Sequence, residues 1–387
     1  MTAEQAGTAV ALAVHARHVP AAQRQAFAEA ARRGLGGGSL VFETCHRVEA
    51  YAVDLDGATA IAAIPLPTGG RTLTGDEAVR HLVTVAVGRD SVVVGEDQIL
   101  HQLRLAVDAA RDGGGLDPTL ERMFALALHA GRRARSWRQG PERSLADVAV
   151  GSVEGLAGPL QGREILVVGA GLMGRLAARA AARAGAAVAV ANRSDHAARA
   201  LAVATHGRVV PFDPGDGAGP FAGVVVALGG PWSIEPATIE ALVASDAVVV
   251  DMSVPPAVPR QLADGLGPRL LTADWLARLD APGEPDGRAA RRLDALIEET
   301  VAEFRDWQQA HAARLAASAL RQRADRARED ELAALWRRLP ELEPEARDAI
   351  EGMTRHLADR LLRTPFERLG QDADGRAERA VRDLFAL

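Results

Sequence analysis

Apolar positions recur with three different spacings along the chain, separating residues 1–145, 146–284 and 285–387. In the first zone TAVALAV and SLVFET are short continuous apolar runs that predict buried strands, and VEAYAVDL alternates as a strand with two unlike faces does. DEAVRHLVTVAVG and DQILHQLRLAVDAARDGG carry apolar residues at helical spacing. The glycines 113–115 end the second of these helices.

The middle zone alternates apolar strands with alanine-rich helices. REILVVGAG, AAVAVANR, GVVVALGG and DAVVVDMSV are nearly continuous in Val, Ala and Ile, as the strands of a parallel sheet covered on both faces are. From about 285 the chain turns helical. Leu293, Leu296, Ile297, Val301, Phe304 and Trp307 form one apolar stripe on a charged rod spanning roughly residues 285–325. A rod of this kind must cover its stripe, and LAALWRRLPELEPEARDAIEGMTRHLADRLL is a second helical segment able to pack beside it or to build a dimer interface.

Composition narrows the chemistry. The 387 residues include no lysine, so every one of the 45 basic side chains is arginine, as expected of a GC-rich coding bias. A Schiff base, a lysine general base and a P-loop lysine are all excluded. The single cysteine, Cys45, rules out an internal disulfide and any zinc site needing two thiolates, which suits a reducing cytoplasm. The opening residues lack a basic lead before their apolar run and do not read as a secretory signal. No stretch of membrane-spanning length is free of Gly, Pro or charge. With a net charge of −6, nucleic acid could be held only by a local arginine patch.

The segment REILVVGAGLMGRLAARAAARAG is a strand, a glycine loop and a helix. Gly169 suits the tight turn, Gly171 admits a pyrophosphate to the backbone, and Gly174 lets the helix approach the strand; Ala170, Leu172 and Met173 complete the loop. The helix N-terminus stabilises phosphate charge. The next strand ends in Asn192, Arg193 and Ser194 rather than in a carboxylate. A carboxylate would repel a 2′-phosphate, whereas a guanidinium and a hydroxyl bind one, so the expected cofactor is NADPH.

Three features in the first zone carry chemistry. Thr44-Cys45-His46-Arg47 follows a buried strand, and adjacent positive charge would raise the thiolate fraction of Cys45. His81 lies within an amphipathic helix, and Asp90-Ser91-Val92-Val93-Val94-Gly95-Glu96-Asp97-Gln98 leads into another. Each has a plainer reading: a small buried thiol, a structural histidine, and a helix cap.

Together they resemble one family. TCHRVEAY, HLVTVAVGRDSVVVGEDQILHQ, GAGLMG with ANRS, and the tail from EETVAEF through ADRLLRTPFERL are similar, in order, to glutamyl-tRNA reductase, from His15–Pro20 to Leu369. The TC-x-R and GE-x-QIL segments are specific to that family; the glycine fingerprint is shared with many others. The resemblance implies an N-terminal α+β catalytic domain, a Rossmann-like NADPH-binding domain, and a long spinal helix with an all-α domain that dimerises. It implies reduction of glutamyl-tRNA to glutamate-1-semialdehyde through a Cys45 thioester, the first step of the C5 route to 5-aminolevulinate and porphyrins. Transfer of the aldehyde to glutamate-1-semialdehyde aminomutase is a further expectation.

By matching motif positions, Arg47 would hold the substrate carboxylate, with Thr44 and His46 lining the same pocket. Ser91, Glu96, Asp97, Gln98 and Gln102 sit where the family contacts substrate, and Glu96 could accept from the α-ammonium. His81 occupies the place of a histidine important for activity, suited to proton transfer or carbonyl polarisation. Arg122, Arg132, Arg133, Arg135, Arg138 and Arg143, against Glu121 and Glu142, are either a tRNA footprint or a solvated helix face.

The sequence departs from the family at His46, where Asn is usual, in the shortened His15-Ala16-Arg17-His18-Val19-Pro20 segment, at Pro255-Pro256, and at Arg89. Alternatives therefore stay open: a relative reducing another aminoacyl-tRNA, or a non-catalytic paralogue that binds tRNA or a pathway partner. A shikimate-dehydrogenase-like reductase shares the glycine loop and the Asn-Arg-Ser end, but its catalytic lysine cannot exist here.

Overall fold

A computed structural model describes residues 7–44, 46–53, 61–90, 97–137, 144–279, 287–372 and 375–385. It divides into two compact units, one covering Thr8–Thr300 and the other built from Val301 onward with Gly7. Among the described residues no helix is long and apolar enough to cross a membrane.

The N-terminal part of the first unit is a four-stranded antiparallel sheet in the order β2-β3-β1-β4, formed by β1 (Ala9–His15), β2 (Leu40–Glu43), β3 (Arg47–Val53) and β4 (Arg71–Thr74). Alternation assigns its two faces. Val10, Leu12, Val14, Val48, Ala50 and Ala52 pack against Phe27, Ala28 and Ala31 of α1 (Ala21–Gly34). The other face carries Arg47, Glu49 and Tyr51 of β3, all buried. An alternating strand ordinarily turns its polar side to water. Here α2 (Asp76–Ala86), α3 (Asp97–Asp112) and α4 (Pro118–Arg135) enclose the polar side, with Phe124 meeting the Tyr51 ring edge-on at 5.1 Å. Gly114 and Gly115, both at positive φ, end α3 as glycine readily allows.

After α5 (Leu145–Ala157) comes a six-stranded parallel sheet. Its strands are β5 (Glu164–Val168), β6 (Ala187–Ala191), β7 (Arg208–Val209), β8 (Gly223–Val226), β9 (Val248–Asp251) and β10 (Leu270–Thr272). The order β10-β9-β8-β5-β6-β7 is the doubly wound arrangement, with its switch point between β5 and β8. The four strands read from apolar runs are all present; β7 and β10 are edge strands of two and three residues, too short to leave a pattern.

The helix Gly287–Arg338 (α11) extends beyond the apolar stripe on which it was expected. Leu293, Leu296 and Ile297 are buried in the first unit, flanked by Arg80–Glu298, Arg89–Asp294 and Arg133–Glu299 ion pairs. These pairs are exposed and each contributes little, so burial of the stripe is what anchors this end of the rod. The second helical segment is divided: its first residues finish α11, Pro340 follows, and α12 (Pro344–Gly370) starts anew with proline at its first position. In the second unit Ala313, Ala316 and Leu320 of α11 pack with Leu362 and Leu369 of α12 and Val381 of α13 (Arg376–Phe385).

Candidate active site

The hairpin between β2 and β3 is closed by the Thr44 amide donating to the Arg47 carbonyl at 2.9 Å. The Thr44 hydroxyl accepts from the amides of His46 and Arg47, both at 3.2 Å, so this side chain braces the turn. Cys45, Ser91 and Glu96 lie outside the described residues. Asp97 and Gln98 begin α3 and Gln102 is half-buried one turn further on.

Below the hairpin is a connected polar cluster. Arg47 Nη1 donates to Glu49 Oε1 at 3.0 Å, and both η nitrogens donate to Asp90 Oδ2 at 3.3 Å. Arg47 Nη2 also donates to the Asp90 carbonyl at 2.8 Å. Glu49 Oε1 lies 2.8 Å from His81 Nε2, and Oε2 accepts from the Tyr51 hydroxyl at 2.6 Å. Arg17 reaches the other Asp90 oxygen at 3.2 Å. Glu49 is 1% exposed and Arg47 3%, so the pair has lost nearly all its water. Burial alone would raise the Glu49 carboxyl; His81, Arg47 and the Tyr51 hydroxyl outweigh it and hold the group below the ordinary carboxylate range. Burial and the Glu49 charge push Tyr51 well up, keeping it a phenol that donates.

Glu49 was not singled out in the sequence. The available signal was the i, i+2, i+4 spacing of Arg47, Glu49 and Tyr51, which stacks them on one strand face.

His46 is buried too. Desolvation, with Arg24 and Arg47 nearby, lowers it to about 4, and desolvation with Arg47 and Arg17 lowers His15 to about 2. Both rings are therefore neutral at physiological pH. Arg24 Nη1 donates to Asp274 Oδ1 at 2.8 Å, and Asp274 Oδ2 accepts from the Ala21 amide at 3.1 Å. Asp274 belongs to α10 (Ala273–Arg278) beside the parallel sheet, so a carboxylate from that side caps the helix that backs the β2–β3 hairpin. A cleft of ≈ 160 Å³ at this seam is lined by Arg24, Arg32, Glu43 and Thr44 on one side and Val254 and Pro255 on the other. Asp251, buried at the end of β9, accepts from the amides of Ser253, Ala257 and Val258 and shapes that second side.

The glycine loop sits at the switch point. Gly169 has φ +110°, and a Cβ there would stand 2.2 Å from the Ala227 carbonyl oxygen. A Cβ on Gly174 would stand 1.9 Å from the Gly169 carbonyl oxygen. Neither position can carry a side chain. Around Gly171 nothing lies within 4 Å of such an atom, which leaves the open approach a pyrophosphate needs above the N-terminus of α6 (Leu172–Arg183). Asn192 Oδ1 accepts from the Ala170 amide at 3.1 Å, tying the loop to the end of β6. The Ser194 hydroxyl accepts from the Ala197 amide at the start of α7 (Asp195–Ala204). Arg193 is exposed, donates to the Pro231 carbonyl at 2.9 Å and lies 5.7 Å from the Phe212 ring centroid.

The arginines of α4 are partly committed within the protein. Arg133 pairs with Glu299 and lies 5.7 Å from the Trp137 ring centroid, and Arg122 and Arg135 are also engaged. Arg138 and Arg143 lie outside the described residues.

Three family models match successive stretches: the glutamyl-tRNAGlu reductase N-terminal domain over residues 8–137, shikimate / quinate 5-dehydrogenase over 152–278, and the glutamyl-tRNAGlu reductase dimerisation domain over 292–387. The middle match, with the glycine cradle, points to a nicotinamide cofactor. A glutamyl-tRNA reductase of Halobacterium salinarum is 36% identical over 363 residues, covering 86% of this chain and 79% of that protein. Another, from Chloroflexus aggregans, is 32% identical over 87% of this chain and 81% of its own length. The solved structure of glutamyl-tRNA reductase from Methanopyrus kandleri superposes with a TM-score of 0.52 at 28% identity, covering 98% of this chain and 99% of that one. From its N-terminal sheet to its terminal helices, the chain belongs to the glutamyl-tRNA reductase family.

Proposed function

We propose that the chain, as a dimer, reduces glutamyl-tRNA(Glu) to glutamate-1-semialdehyde with NADPH. The observation that carries this reading is the combination, within one compact unit, of a dinucleotide cradle at a sheet switch point and a hairpin underlain by the buried Arg47–Glu49–His81 cluster. In the proposed sequence the Cys45 thiolate attacks the aminoacyl carbon and the tRNA 3′-oxygen leaves with a proton, giving an enzyme thioester. Splitting the reduction this way replaces one hard step by two easier ones. Gly169, Ala170, Gly171, Leu172, Met173 and Gly174 would cradle the pyrophosphate of NADPH, which when bound supplies the hydride that the thioester carbonyl accepts as the carbon–sulfur bond breaks. Arg47 would hold the substrate carboxylate, for which Asp90 must yield part of its contact with the guanidinium. Thr44 holds the turn, and Ser91, Glu96, Asp97, Gln98 and Gln102 are assigned to substrate binding by their motif positions. Domain limits at 1–145, 146–284 and 285–387 belong to the same proposal. So does passage of the aldehyde, a reactive product, directly to glutamate-1-semialdehyde aminomutase.

The test offers the purified chain NADPH with individually charged tRNAs and measures aldehyde. Product is expected with glutamyl-tRNA alone. Turnover with a different charged tRNA and none with glutamyl-tRNA would move the specificity, and no turnover with any would end the enzymatic reading.

The cofactor assignment has its own test. Arg193 and Ser194 replace the carboxylate that an NAD site needs, so Arg193 is assigned to the 2′-phosphate. Arg193→Ala is expected to weaken NADPH binding by about tenfold or more, the scale of one charge-assisted contact, while leaving NADH binding unchanged. Equal losses for the two cofactors would place Arg193 away from the 2′-phosphate.

A further inference from the structure

Glu49 occupies a place where a charge is expensive. It stands on the strand between β1 and β2, registered opposite Ala13 on one side and Phe42 on the other. An ion taken out of water there is destabilised, and a β-branched apolar residue would suit the sheet better. Its two structural partners on the same strand, Arg47 and Tyr51, already give each oxygen a donor. The third donor comes from a different element: His81 on α2, whose ring keeps 14% of its surface exposed.

A carboxylate that only accepts fixes what the facing ring nitrogen must do. Because the Glu49 carboxyl is ionised, Nε2 of His81 carries a hydrogen and donates it. In the neutral ring the acceptor is then Nδ1, which has no hydrogen-bond partner among the described residues. With the ring neutral, the charges of Arg47, Glu49, Asp90 and Arg17 cancel; a proton added at Nδ1 produces a cation beside the buried Glu49 charge. The same division of labour between a buried carboxylate and an imidazole serves proton transfer in triads.

We propose that Glu49 is a positioning residue of the reduction: it fixes His81 as the Nε2–H tautomer, so that Nδ1 takes one proton and returns it, and its charge holds the imidazolium in between. This rests on the reading that Cys45 is acylated by glutamyl-tRNA: the proton Nδ1 takes is the one the thiol gives up in forming the attacking thiolate, and it is returned to the departing tRNA 3′-oxygen. No proton or electron is gained or lost in that exchange. In this assignment His81, and not Glu49, would be the group that meets the substrate.

The experiment compares Glu49→Gln with the unaltered chain in histidine-15N-labelled protein and in turnover. The amide keeps the shape of the carboxyl but removes its charge, and it can donate as well as accept. The expected result is a His81 15N pattern that changes from the single Nε2–H tautomer to a mixture. The kcat should fall by about a hundredfold, the lower range for a lost acid–base contribution, with KM for glutamyl-tRNA within about threefold. Glu49→Asp, which keeps the charge, should recover about tenfold of that loss. Unchanged kcat, an unchanged tautomer, or a loss confined to KM would overturn the proposal. Where Glu49→Gln does not fold, Glu49→Asp carries the test alone: a mixed tautomer and a kcat about tenfold below that of the unaltered chain are expected, and an unaltered value of either overturns it. The 15N pattern needs no substrate. Absence of aldehyde from the unaltered chain would therefore defeat the catalytic reading while the tautomer measurement still judged the role of Glu49.

Discussion

Arg47→Met is expected to lower the unfolding free energy by about 3–5 kcal/mol and to remove turnover of glutamyl-tRNA. The two effects have different sources. The stability loss comes from Glu49, which remains fully buried with its charge and keeps only His81 and Tyr51 as donors. Asp90 is a third exposed and can turn to water, so it adds little. The loss of turnover follows from the assigned role of Arg47, since methionine cannot hold a carboxylate. Lysine would not rescue it, because one ammonium cannot span Glu49 and both Asp90 acceptors as the planar fork does. A double change separates the sources. Arg47→Met with Glu49→Gln removes both charges, and denaturant unfolding should show part of the lost stability restored while turnover stays absent. A double variant no more stable than Arg47→Met would mean that the buried charge of Glu49 is not what destabilises the single one.

This cluster also marks the limit of what pattern reading delivers. The dinucleotide cradle was legible because its determinants are local: a strand, three glycines and a helix start follow one another within a few residues, and the steric requirement at Gly169 and Gly174 is met by immediate neighbours in the fold. The apolar strands β5, β6, β8 and β9 were legible for the same reason. Glu49 was not, because alternation reports which residues share a face and is silent on whether that face meets water. Only the helices from residues 76–135, folding over the sheet, decide that. Asp274 was further out of reach: it caps α1 and pairs with Arg24 across about 250 positions, and nothing local distinguishes it from an ordinary first-turn carboxylate of α10. The helical tail failed at one point for a simpler reason. Helical spacing runs on past Leu339, whereas Pro340 and Pro344 break the backbone pattern and divide the segment.

The second large effect is expected at the single cysteine of the chain. Cys45→Ser is expected to reduce aldehyde formation by at least about a thousandfold, since the reaction then lacks its covalent route. A thiol with an ordinary pKa near 8.5 already supplies a few per cent thiolate at neutral pH; a serine hydroxyl has no comparable ionised fraction. An oxygen ester would also accept hydride less readily than a thioester does. Incubation with glutamyl-tRNA in the absence of NADPH, followed by mass measurement of the denatured protein, should show a glutamyl adduct on the unaltered chain and none on the variant. Affinity for NADPH should be unchanged, because the cradle at Gly169–Gly174 lies on a separate sheet and makes no demand on residue 45. That contrast distinguishes the two substitutions, which a turnover assay alone would score alike: Arg47→Met should lose stability as well as activity, whereas Cys45→Ser should lose the adduct and keep the cofactor. An adduct of the same mass persisting on the serine variant would place the nucleophile elsewhere in the chain, and with no second thiol available it would have to be an oxygen or a nitrogen.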